Sequence, residues 1–361
     1  MIVVAKVGTS SLTDETGEVV AAPLLKLCAE IAAARLAGHE VVLVSSGAIA
    51  AGLPALGLHR RPTDIGTLQA VAAIGQPRLM ERFCAILGTH GLVAGQVLLT
   101  PYDFIHRTQY LHARQTLRRL LDLGAVPIVN ENDTVADDEI RYGDNDRLAA
   151  LVAHLVGADL LLLLTDTSGV MTADPRIDEA ATLIEEIAEV DAALESVAGA
   201  GGSERGSGGM ASKLQAAKIA AWSGVRAVIA AAAVPDVITR AASGEPVGTV
   251  VLPRAKRLAS RKLWIAFAQG SHGRLVVDDG ARRALVESGR SLLPAGVRAV
   301  EGSFDADDAV EVIGPDGRPF AKGLVRYSSV ALSELAGSRT TDLPEGVPHE
   351  VIHRDDLVVL P

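Results

Sequence analysis

Apolar residues along positions 1–252 follow two patterns that alternate along the chain. Short, nearly continuous aliphatic runs predict buried strands, and longer segments with apolar residues at helical spacing predict helices that end at glycine. The predicted strands are 2–7, 40–45, 92–100, 125–130, 160–166, 225–231 and 248–252. The predicted helices are 23–38, 107–124, a segment from 148, 212–224 and a short segment from Pro235. Continuous apolar strands that alternate with helices predict an α/β fold whose mostly parallel central sheet is sandwiched by helices.

The pattern changes near residue 253. A basic stretch without an apolar stripe follows, and residues 254–269 are predicted to be a linker. Beyond it, short apolar runs separated by Gly, Pro and Asp predict strands, and "GPDG" at 314–317 predicts a hairpin turn. These strand-rich segments are 273–285, 309–327 and 351–360. The predicted domains are 1–253, the 254–269 linker, and a small, mainly-β domain over 270–361.

Composition narrows the range of partners. The 361-residue chain has 34 basic and 44 acidic residues and a formal net charge of −10. This charge argues against affinity of the whole chain for nucleic acid or an anionic membrane. Two cysteines, Cys28 and Cys84, do not make a disulfide framework and predict a cytoplasmic protein. The most apolar stretch, 148–166, is interrupted by histidine, glycine and aspartate, so it predicts a helix and a strand instead of a membrane span.

Polar residues follow four of the predicted strands. Ligands bind outside the carboxyl ends of parallel strands, so these four segments are expected to form one site. They are "KVGTSS" (6–11), "VSSGAIAAG" (44–52), the acidic and amide-rich segment 131–146, and "TDTSGVM" (165–171). In the second of them, Ser45 or Ser46 is predicted to cap a helix whose first amides include those of Gly47 and Ala48.

The acidic segment 131–146 does not predict a metal site. Its "DDE" at 137–139 has no further residues at metal-ligand spacing, and a solvated acidic loop explains it better. We therefore predict no metal-ligating residues in the chain.

The segment "GSGGMASK", residues 206–213, is glycine-rich and ends in lysine, as many phosphate-binding loops do. It does not match G-x-x-x-x-G-K-[ST], because Ser212 precedes Lys213, and it fits G-x-G-x-x-[GA] only loosely. No predicted strand runs directly into it, although both motifs require one. It leads into a helix predicted to begin near Ser212, whose free amides and positive dipole end favour an anion. On the residues alone, a phosphate-binding loop of another kind and a plain linker both stay open.

Six segments, taken in order, resemble the amino acid kinase family. They are 6–11, 44–52, 128–135, 143–153, 163–175 and 206–220, and they span the first predicted domain. The second domain resembles a PUA domain through 273–285, 289–304 and 322–329. The resemblance implies ATP-dependent phosphorylation of the γ-carboxylate of L-glutamate to L-glutamyl 5-phosphate, the first step of L-proline biosynthesis. One departure is Asp307-Asp308, where related PUA domains commonly carry glycine and aspartate, and we expect a changed turn without loss of the fold.

The resemblance also implies roles for individual residues. Lys6 and Lys213 are expected to converge on the transferring phosphoryl group, and Asp146 is expected to hold both lysines without acting as a base. A carboxylate acceptor is already ionised at neutral pH, so no general base is expected. The residues expected to bind glutamate are Ser46, Gly47, Asn130, Asp133 and Asn145. Those expected to contact ATP are Lys6, Gly8, Thr165, Asp166, Ser207, Gly208, Gly209, Met210, Ala211, Ser212 and Lys213. Mg²⁺ is expected to be carried by the ATP phosphates.

Other members of the family, which act on acetylglutamate, aspartate or nucleoside monophosphates, are the nearest alternatives. The segments "NEND" (130–133) and "GDND" (143–146), together with the PUA-like domain, favour glutamate. RNA binding is an alternative of another class, since PUA domains occur in RNA-binding proteins, but residues 271–361 lack a dense basic stripe. The resemblance further implies proline as a feedback inhibitor, a homo-oligomer of two or four chains, and handover of the product to a glutamate-5-semialdehyde dehydrogenase.

Overall fold

The computed structural model describes residues 1–14, 18–135, 144–173, 178, 180–191, 194–195, 209–255, 257–268, 270–342 and 348–360. The chain divides into two units, Met1–Arg257 and Leu258–Pro361. Each unit has a hydrophobic core of its own, made mainly of aliphatic side chains. Over the residues described, no helix is long and apolar enough to cross a membrane.

The central sheet of the first unit is mostly parallel, as the sequence predicted. Its strands are β1 (Ile2–Val7), β2 (Glu40–Ser45), β3 (Ala94–Leu99), β4 (Val126–Glu131), β5 (Leu160–Thr165), β6 (Glu186–Ile187), β7 (Arg226–Ala231) and β8 (Gly248–Val251). They lie in the order β3-β4-β2-β1-β5-β7-β8-β6, and among the described strands of this sheet only the β7–β8 pair is antiparallel. Every residue of β1 and β5 is buried, as expected for central strands covered on both faces.

Helices connect the strands of this sheet. They are α1 (Ala21–Leu36), α2 (Ala48–Gly52), α3 (Ile65–Thr89), α4 (Pro101–Ile105), α5 (Arg107–Asp122), α6 (Asp144–Val156), α7 (Met210–Trp222) and α8 (Val237–Ala242). Helices α1, α5 and α7 are followed by Gly38, Gly124 and Gly224, whose φ angles of +84°, +79° and +72° end each helix in the left-handed region. The sequence did not predict the 25-residue helix α3, because Pro77 and three glycines interrupt its pattern.

Helices α2 and α3 cross in direct backbone contact, and two glycines make this possible. A Cβ atom on Gly75 would lie 1.8 Å from the carbonyl oxygen of Ala48 and 2.5 Å from the nitrogen of Gly52. A Cβ atom on Gly52 would lie 2.1 Å from the carbonyl oxygen of Val71. The crossing therefore fixes α3, and with it Gln76, relative to the turn that begins α2.

The second unit is mainly β, as predicted. Its strands are β9 (Gly273–Val277), β10 (Val297–Gly302), β11 (Ala309–Ile313), β12 (Pro319–Leu324) and β13 (Leu357–Val359), and they lie in the order β10-β9-β11-β12-β13. The predicted hairpin turn at 314–317 joins β11 to β12, which pair antiparallel. Its helices are α9 (Ser260–Leu263), a π-helical turn (Trp264–Ala268), α10 (Asp279–Val286) and α11 (Ser329–Leu335).

Two segments beyond residue 253 contain helices that the sequence did not predict. Helix α10 lies in a segment predicted to hold only strands and turns. It forms because the side chain of Asp278 caps the first turn by accepting a hydrogen bond from the Ala281 N–H at 2.8 Å. The segment 254–269 contains α9 and the π-helical turn, in which Leu263 and Ile265 are buried.

The Asp307-Asp308 turn leaves the sheet of the second unit intact. Asp307 has a φ of +72°, in the left-handed region that favours glycine. Its N–H donates to the Val325 carbonyl at 2.7 Å, and the Val325 N–H donates back to the Asp308 carbonyl at 3.0 Å. Strand β11 begins at the next residue, with Ala309 opposite Leu324 of β12. Aspartate adopts the left-handed conformation more readily than most other residues, so it can replace glycine here without loss of the fold.

A side chain at position 75 is expected to disrupt the α2–α3 crossing. We expect Gly75→Ala to lower the free energy of unfolding by about 3 kcal/mol or more, because backbone atoms of α2 would have to move. Gly88→Ala is the matched control, since it lies in the same helix with open space around it, and it should raise stability by about 0.5 kcal/mol. Urea unfolding followed by circular dichroism measures both changes. Equal and small effects would mean that the two helices are not in backbone contact.

We expect the first unit to fold without the second, because their cores are separate. The Arg254 guanidinium lies 4.3 Å from the centre of the Trp222 ring and 3.1 Å from the Glu189 carboxylate. Fragment 1–257, which keeps these contacts, should therefore be more stable than fragment 1–253 by about 1 kcal/mol. Thermal unfolding of both fragments tests the prediction. If neither unfolded cooperatively, the predicted domain limits would be misplaced.

Candidate active site

Lys6 is a buried cation at the carboxyl end of the central strand β1. Because β1 lies between β2 and β5, Lys6 is in the middle of the carboxyl edge of the sheet. Its Nζ atom is 2.7 Å from Oδ1 of Asp146. Gly8 lies beside this ammonium group, since a Cβ atom at that position would be 3.6 Å from Nζ. The end of β1 thus places a positive charge where parallel sheets bind ligands.

Asp146 joins Lys6 to a second lysine. It lies in the first turn of α6 and is fully buried. Its Oδ2 atom is 3.3 Å from Nζ of Lys213 and accepts a hydrogen bond from the Ser212 hydroxyl at 2.7 Å. Only 3% of the Lys6 side chain and 7% of the Lys213 side chain are exposed. We call Lys6, Asp146 and Lys213 the ion cluster. The structure thus brings together the three residues that the sequence analysis expected to be catalytic.

The ion cluster combines two positive charges with one negative charge. Burial disfavours the ionised carboxylate, but the charges of Lys6 and Lys213 outweigh it, and the pKa of Asp146 lies below its usual value. Asp146 is therefore ionised at neutral pH and is a poor proton acceptor. Helix α7 begins at Met210, so Lys213 and the amides of the first helical turn lie together at its positive end. This arrangement favours an anion.

A chain of side-chain hydrogen bonds lies at the ends of β2 and β4. Nδ2 of Asn145 donates to the Ser46 hydroxyl at 2.8 Å and to Oδ1 of Asn130 at 2.9 Å. Nδ2 of Asn130 donates in turn to Oε1 of Gln76 at 2.8 Å. We call Ser46, Gln76, Asn130 and Asn145 the amide network. Since Asn145 directly precedes Asp146, the amide network adjoins the ion cluster.

The turn between β2 and α2 differs from the sequence prediction. Gly47 precedes the first residue of the helix with a φ of +107°, and neither Ser45 nor Ser46 caps the helix. The Ser45 hydroxyl donates to the Ser46 carbonyl at 3.0 Å instead. A left-handed residue is required at position 47, which favours glycine. Because the helix starts after this glycine, the Ser46 hydroxyl belongs to the amide network.

Three other residues expected at the site lie along the same edge of the sheet. Asp133 is in the 3₁₀ turn that follows β4 and packs beside α3. Thr165 is the buried last residue of β5, and its hydroxyl donates to the exposed Asp166 carboxylate at 3.0 Å. Strands β4 and β5 lie on opposite sides of β1. The edge therefore has an amide-rich half and a half formed by β5 and α7, with Lys6 between them.

The glycine-rich segment before α7 is described only in part. Ser207 and Gly208, which the sequence analysis expected to contact the nucleotide, lie outside the described residues, and the description resumes at Gly209. Helix α7 begins at Met210, two residues earlier than predicted. Residues 210–213 are therefore its first turn and not a loop.

No group of three or more His, Cys, Asp and Glu side chains is arranged to hold a metal ion within the part of the chain that the structure describes. The acidic segment 137–139, which the sequence analysis interpreted as a solvated loop, lies outside that part. The side chains grouped around Asp146 are two lysines and a serine, which suit an anion better than a cation.

Gln76 is the residue of this site that the sequence analysis missed. It lies between Gly75 and Pro77 in α3, the helix that was not predicted. A glutamine within a helix gives no local signal of function, and the place of Gln76 becomes clear only from its hydrogen bond to Asn130. The glycine beside it is a weak indication, because glycine inside a helix often marks a close backbone contact.

The variant Asp146→Asn tests the ion cluster. It keeps the shape of the side chain but leaves two buried ammonium groups without their counter-charge, so the free energy of unfolding at neutral pH should fall by about 3 kcal/mol. The pKa of Asp146 is lower in the folded state than the unfolded value of about 3.9. Its carboxylate therefore stabilises the fold above about pH 4, and this contribution is lost as the pH falls through the folded pKa.

The stability difference between the parent chain and this variant should thus shrink below about pH 4, as measured by urea unfolding over a range of pH. Asp122→Asn, at the exposed end of α5, is the control and should change stability by less than about 0.5 kcal/mol. A variant at position 146 that matched the parent chain at every pH would show that the ion cluster does not stabilise the fold.

Comparisons with known proteins agree with this fold. The family model for the amino acid kinase family matches residues 1–231, and the PUA domain model matches residues 273–347. The glutamate 5-kinase of Caldanaerobacter subterraneus subsp. tengcongensis is 47% identical over 364 aligned positions, which cover 100% of this chain and 98% of the relative. That of Frankia casuarinae is 49% identical over 362 positions, which cover 99% of this chain and 96% of the relative. A solved isopentenyl phosphate kinase shares the fold, with a TM-score of 0.51 and 22% identity over 70% of this chain and 100% of that one. The chain therefore belongs to the amino acid kinase family, and its similarity to glutamate 5-kinases extends over its whole length.

Proposed function

We propose that the chain catalyses ATP-dependent phosphorylation of the γ-carboxylate of L-glutamate. The product is L-glutamyl 5-phosphate, and the reaction is the first step of L-proline biosynthesis. One observation carries the proposal: the buried ion cluster adjoins the amide network in a chain that is 47% and 49% identical to two glutamate 5-kinases. Membership of a kinase family implies ATP as the co-substrate.

The two lysines provide the positive charge that phosphoryl transfer needs. The transferred group spreads negative charge over its oxygens, and the protein contributes mainly position and charge. Nζ of Lys6 and Nζ of Lys213 are held on the two oxygens of Asp146, at 2.7 Å and 3.3 Å. Because they are held in place, they would contact the phosphoryl oxygens without having to move during the reaction. Asp146 acts through them and is a positioning residue.

The acceptor needs no general base. Its γ-carboxylate is ionised at neutral pH, so an oxygen lone pair attacks the γ-phosphorus directly. The bond from this phosphorus to the oxygen that bridges to the β-phosphorus breaks, and ADP leaves with the electron pair. In this proposal the hydroxyl of Ser46 and the Gly47 N–H donate to the carboxylates of the substrate, Asn130 and Asn145 line the acceptor site beside them, and Asp133 binds the ammonium group of the substrate.

The other half of the edge is proposed to bind the nucleotide. Gly8 would present backbone beside the phosphates, Thr165 and Asp166 would contact the nucleotide after β5, and residues 207–213 would hold the phosphates at the start of α7. Lysine ammonium groups and helix amides suit phosphate oxygens, which supports this assignment. Mg²⁺ carried by ATP would neutralise part of the phosphate charge, and no protein cage of carboxylates is proposed for it.

RNA binding by the second unit is disfavoured by its charge pattern. Five of its arginines each lie within 3.2 Å of an acidic side chain. The pairs are Arg261–Asp356, Arg274–Glu311, Arg282–Asp316, Arg298–Asp278 and Arg326–Glu350. A guanidinium that is paired within the protein contributes less net positive charge toward a phosphate backbone. We therefore propose no RNA partner.

Four further proposals follow from the resemblance to the family. We propose that proline inhibits the enzyme as the end product and that the chain forms a homo-oligomer of two or four copies. We place the reaction in the cytoplasm, where ATP and L-glutamate are both available. An acyl phosphate is a reactive mixed anhydride, so direct handover to a glutamate-5-semialdehyde dehydrogenase would protect it from hydrolysis.

Trapping the acyl phosphate with hydroxylamine tests the proposed reaction. We expect ATP-dependent hydroxamate from L-glutamate, and at most about 1% of that rate from N-acetyl-L-glutamate or L-aspartate. Lys213→Met should lower turnover by about 100-fold or more, since it removes a charge that stabilises the transition state. Lys218→Met is the matched control on α7, because Lys218 pairs with Glu195 at 2.9 Å outside the ion cluster, and it should keep its turnover.

Two results would contradict the proposal in different ways. Preference for another carboxylic acid would overturn the substrate and leave the phosphoryl transfer in place. Absence of hydroxamate from every acid tested would overturn the reaction itself.

A further inference from the structure

Gln76 is a buried polar residue to which the proposed function assigns no role. It is 8% exposed, and its amide oxygen accepts the hydrogen bond from Nδ2 of Asn130. We propose that Gln76 is a positioning residue for the substrate that accepts the phosphoryl group. It holds the amide network in the one hydrogen-bond arrangement that leaves the Ser46 hydroxyl free to donate to a substrate carboxylate. This inference rests on the proposed function, since it takes the amide network to be the acceptor site.

The arrangement of the amide network is set from one end by a backbone group that can only donate. The N–H of Glu131 lies 2.9 Å from Oδ1 of Asn130 and 3.3 Å from Oδ1 of Asn145. Both of these side-chain atoms must therefore be acceptors, so they are oxygens and the other ends of the two amides are NH₂ groups. This donor identifies the oxygen end of each asparagine.

The hydrogens of Asn145 then determine what Ser46 can do. Its NH₂ group donates to Oδ1 of Asn130 at 2.9 Å and to the Ser46 hydroxyl oxygen at 2.8 Å, and the Ser45 carbonyl is a longer third acceptor at 3.4 Å. The hydroxyl is an acceptor in this bond, so its own hydrogen is available for a second partner. None of the side chains or carbonyls in the described ranges accepts that hydrogen. An oxygen of a bound carboxylate is the partner that fits, since a hydroxyl donates strongly to an anion.

Gln76 fixes the network at its other end. The NH₂ group of Asn130, a residue that is only 2% exposed, has Oε1 of Gln76 as its acceptor. If this acceptor were removed, a buried donor would be left unsatisfied, and Asn130 would rotate toward another partner. Its Oδ1 atom would then no longer hold Asn145, and the hydrogen bond to Ser46 would lose its fixed geometry.

The position of Gln76 is itself rigid. The preceding residue, Gly75, is where α3 touches the backbone of α2, with no room for a Cβ atom. Helix α2 begins at Ala48, two residues after Ser46. One contact between two helices therefore sets the distance between the two ends of the amide network, and a shift of α3 would move Gln76 away from Asn130.

Two substitutions separate hydrogen bonding from packing. Gln76→Met keeps the length of the side chain but has no oxygen to accept from Asn130. Gln76→Glu keeps an acceptor oxygen whether or not the carboxyl group is protonated, so it should restore the network. A role in packing alone predicts no such difference between the two variants.

Steady-state kinetics of hydroxamate formation by the full chain is the first test. We expect Gln76→Met to raise KM for L-glutamate by about tenfold, because the binding of glutamate is weakened equally in the ground and transition states. The KM for ATP should stay within about twofold, and Gln76→Glu should recover most of the loss in glutamate affinity. An unchanged KM for glutamate, an equal rise in both KM values, or failure of Gln76→Glu to recover would overturn the proposal.

If the Gln76→Met chain did not fold, Gln76→Ala, which leaves space for a water molecule, would replace it in the same comparison.

The second test does not depend on catalysis and uses an unusual feature of the composition. The chain has three asparagines, Asn130, Asn132 and Asn145, and two of them belong to the amide network. Nitrogen-15 labelling of asparagine alone therefore gives three pairs of side-chain NH₂ signals. We expect Gln76→Met to shift the signals of Asn130 and Asn145 and to speed their exchange with solvent, and Gln76→Glu to reverse both effects. Asn132, which accepts from the Thr134 hydroxyl at 2.6 Å, is the internal control and should not change.

The two tests distinguish failure of this inference from failure of the proposed function. If the parent chain accepts a different carboxylic acid, the kinetic comparison is made with that acid. If it forms no hydroxamate at all, the proposed reaction falls, and the NMR comparison alone decides whether Gln76 orders the network. Signals of Asn130 and Asn145 that were the same in all three chains would show that it does not.

Discussion

The candidate site depends on one buried carboxylate that is shared by two buried lysines. Each of the three charges alone would be too costly to remove from water, and together they are stable because Asp146 lies between Lys6 and Lys213. The parallel sheet makes this meeting possible. Strand β1 ends at the same edge at which α6 and α7 begin, so a residue from a strand end and two residues from first helical turns converge.

The amide network complements the ion cluster with a different kind of interaction. Charges attract phosphoryl oxygens strongly but over a broad range of geometries, whereas amides and hydroxyls discriminate by direction. The two groups are joined through consecutive residues of α6, with Asn145 on one side and Asp146 on the other. A single helical turn thereby fixes the distance between the site proposed for glutamate and the site proposed for the transferred phosphoryl group.

Much of this architecture could be predicted from the sequence, and the exceptions have physical causes. The buried strands and the helices that end at Gly38 and Gly124 were predictable because continuous apolar runs and left-handed glycines are local signals. Helix α3 was not, because Pro77 and its glycines hide the helical pattern, and Gln76 was lost with it. The start of α7 was placed two residues late, because Met210 gives no capping signal. The convergence of Lys6 and Lys213 on Asp146 came from a family resemblance, since no local pattern encodes a contact between distant segments.

The central place of β1 in the sheet has a consequence for the synthesis of the chain. This strand is made well before its neighbour β5, which begins only at Leu160. At about 5–20 residues per second on the ribosome, the edge of β1 waits roughly eight to thirty seconds for that neighbour. Until residue 146 is made, Lys6 has no Asp146 carboxylate beside it, and an unpaired ammonium group resists burial. A lysine within an aliphatic strand is expected to disfavour pairing with a wrong partner, as charges on exposed strand edges do. The side chain that is suited to phosphate in the folded protein is thus also one that opposes aggregation while the chain is being made.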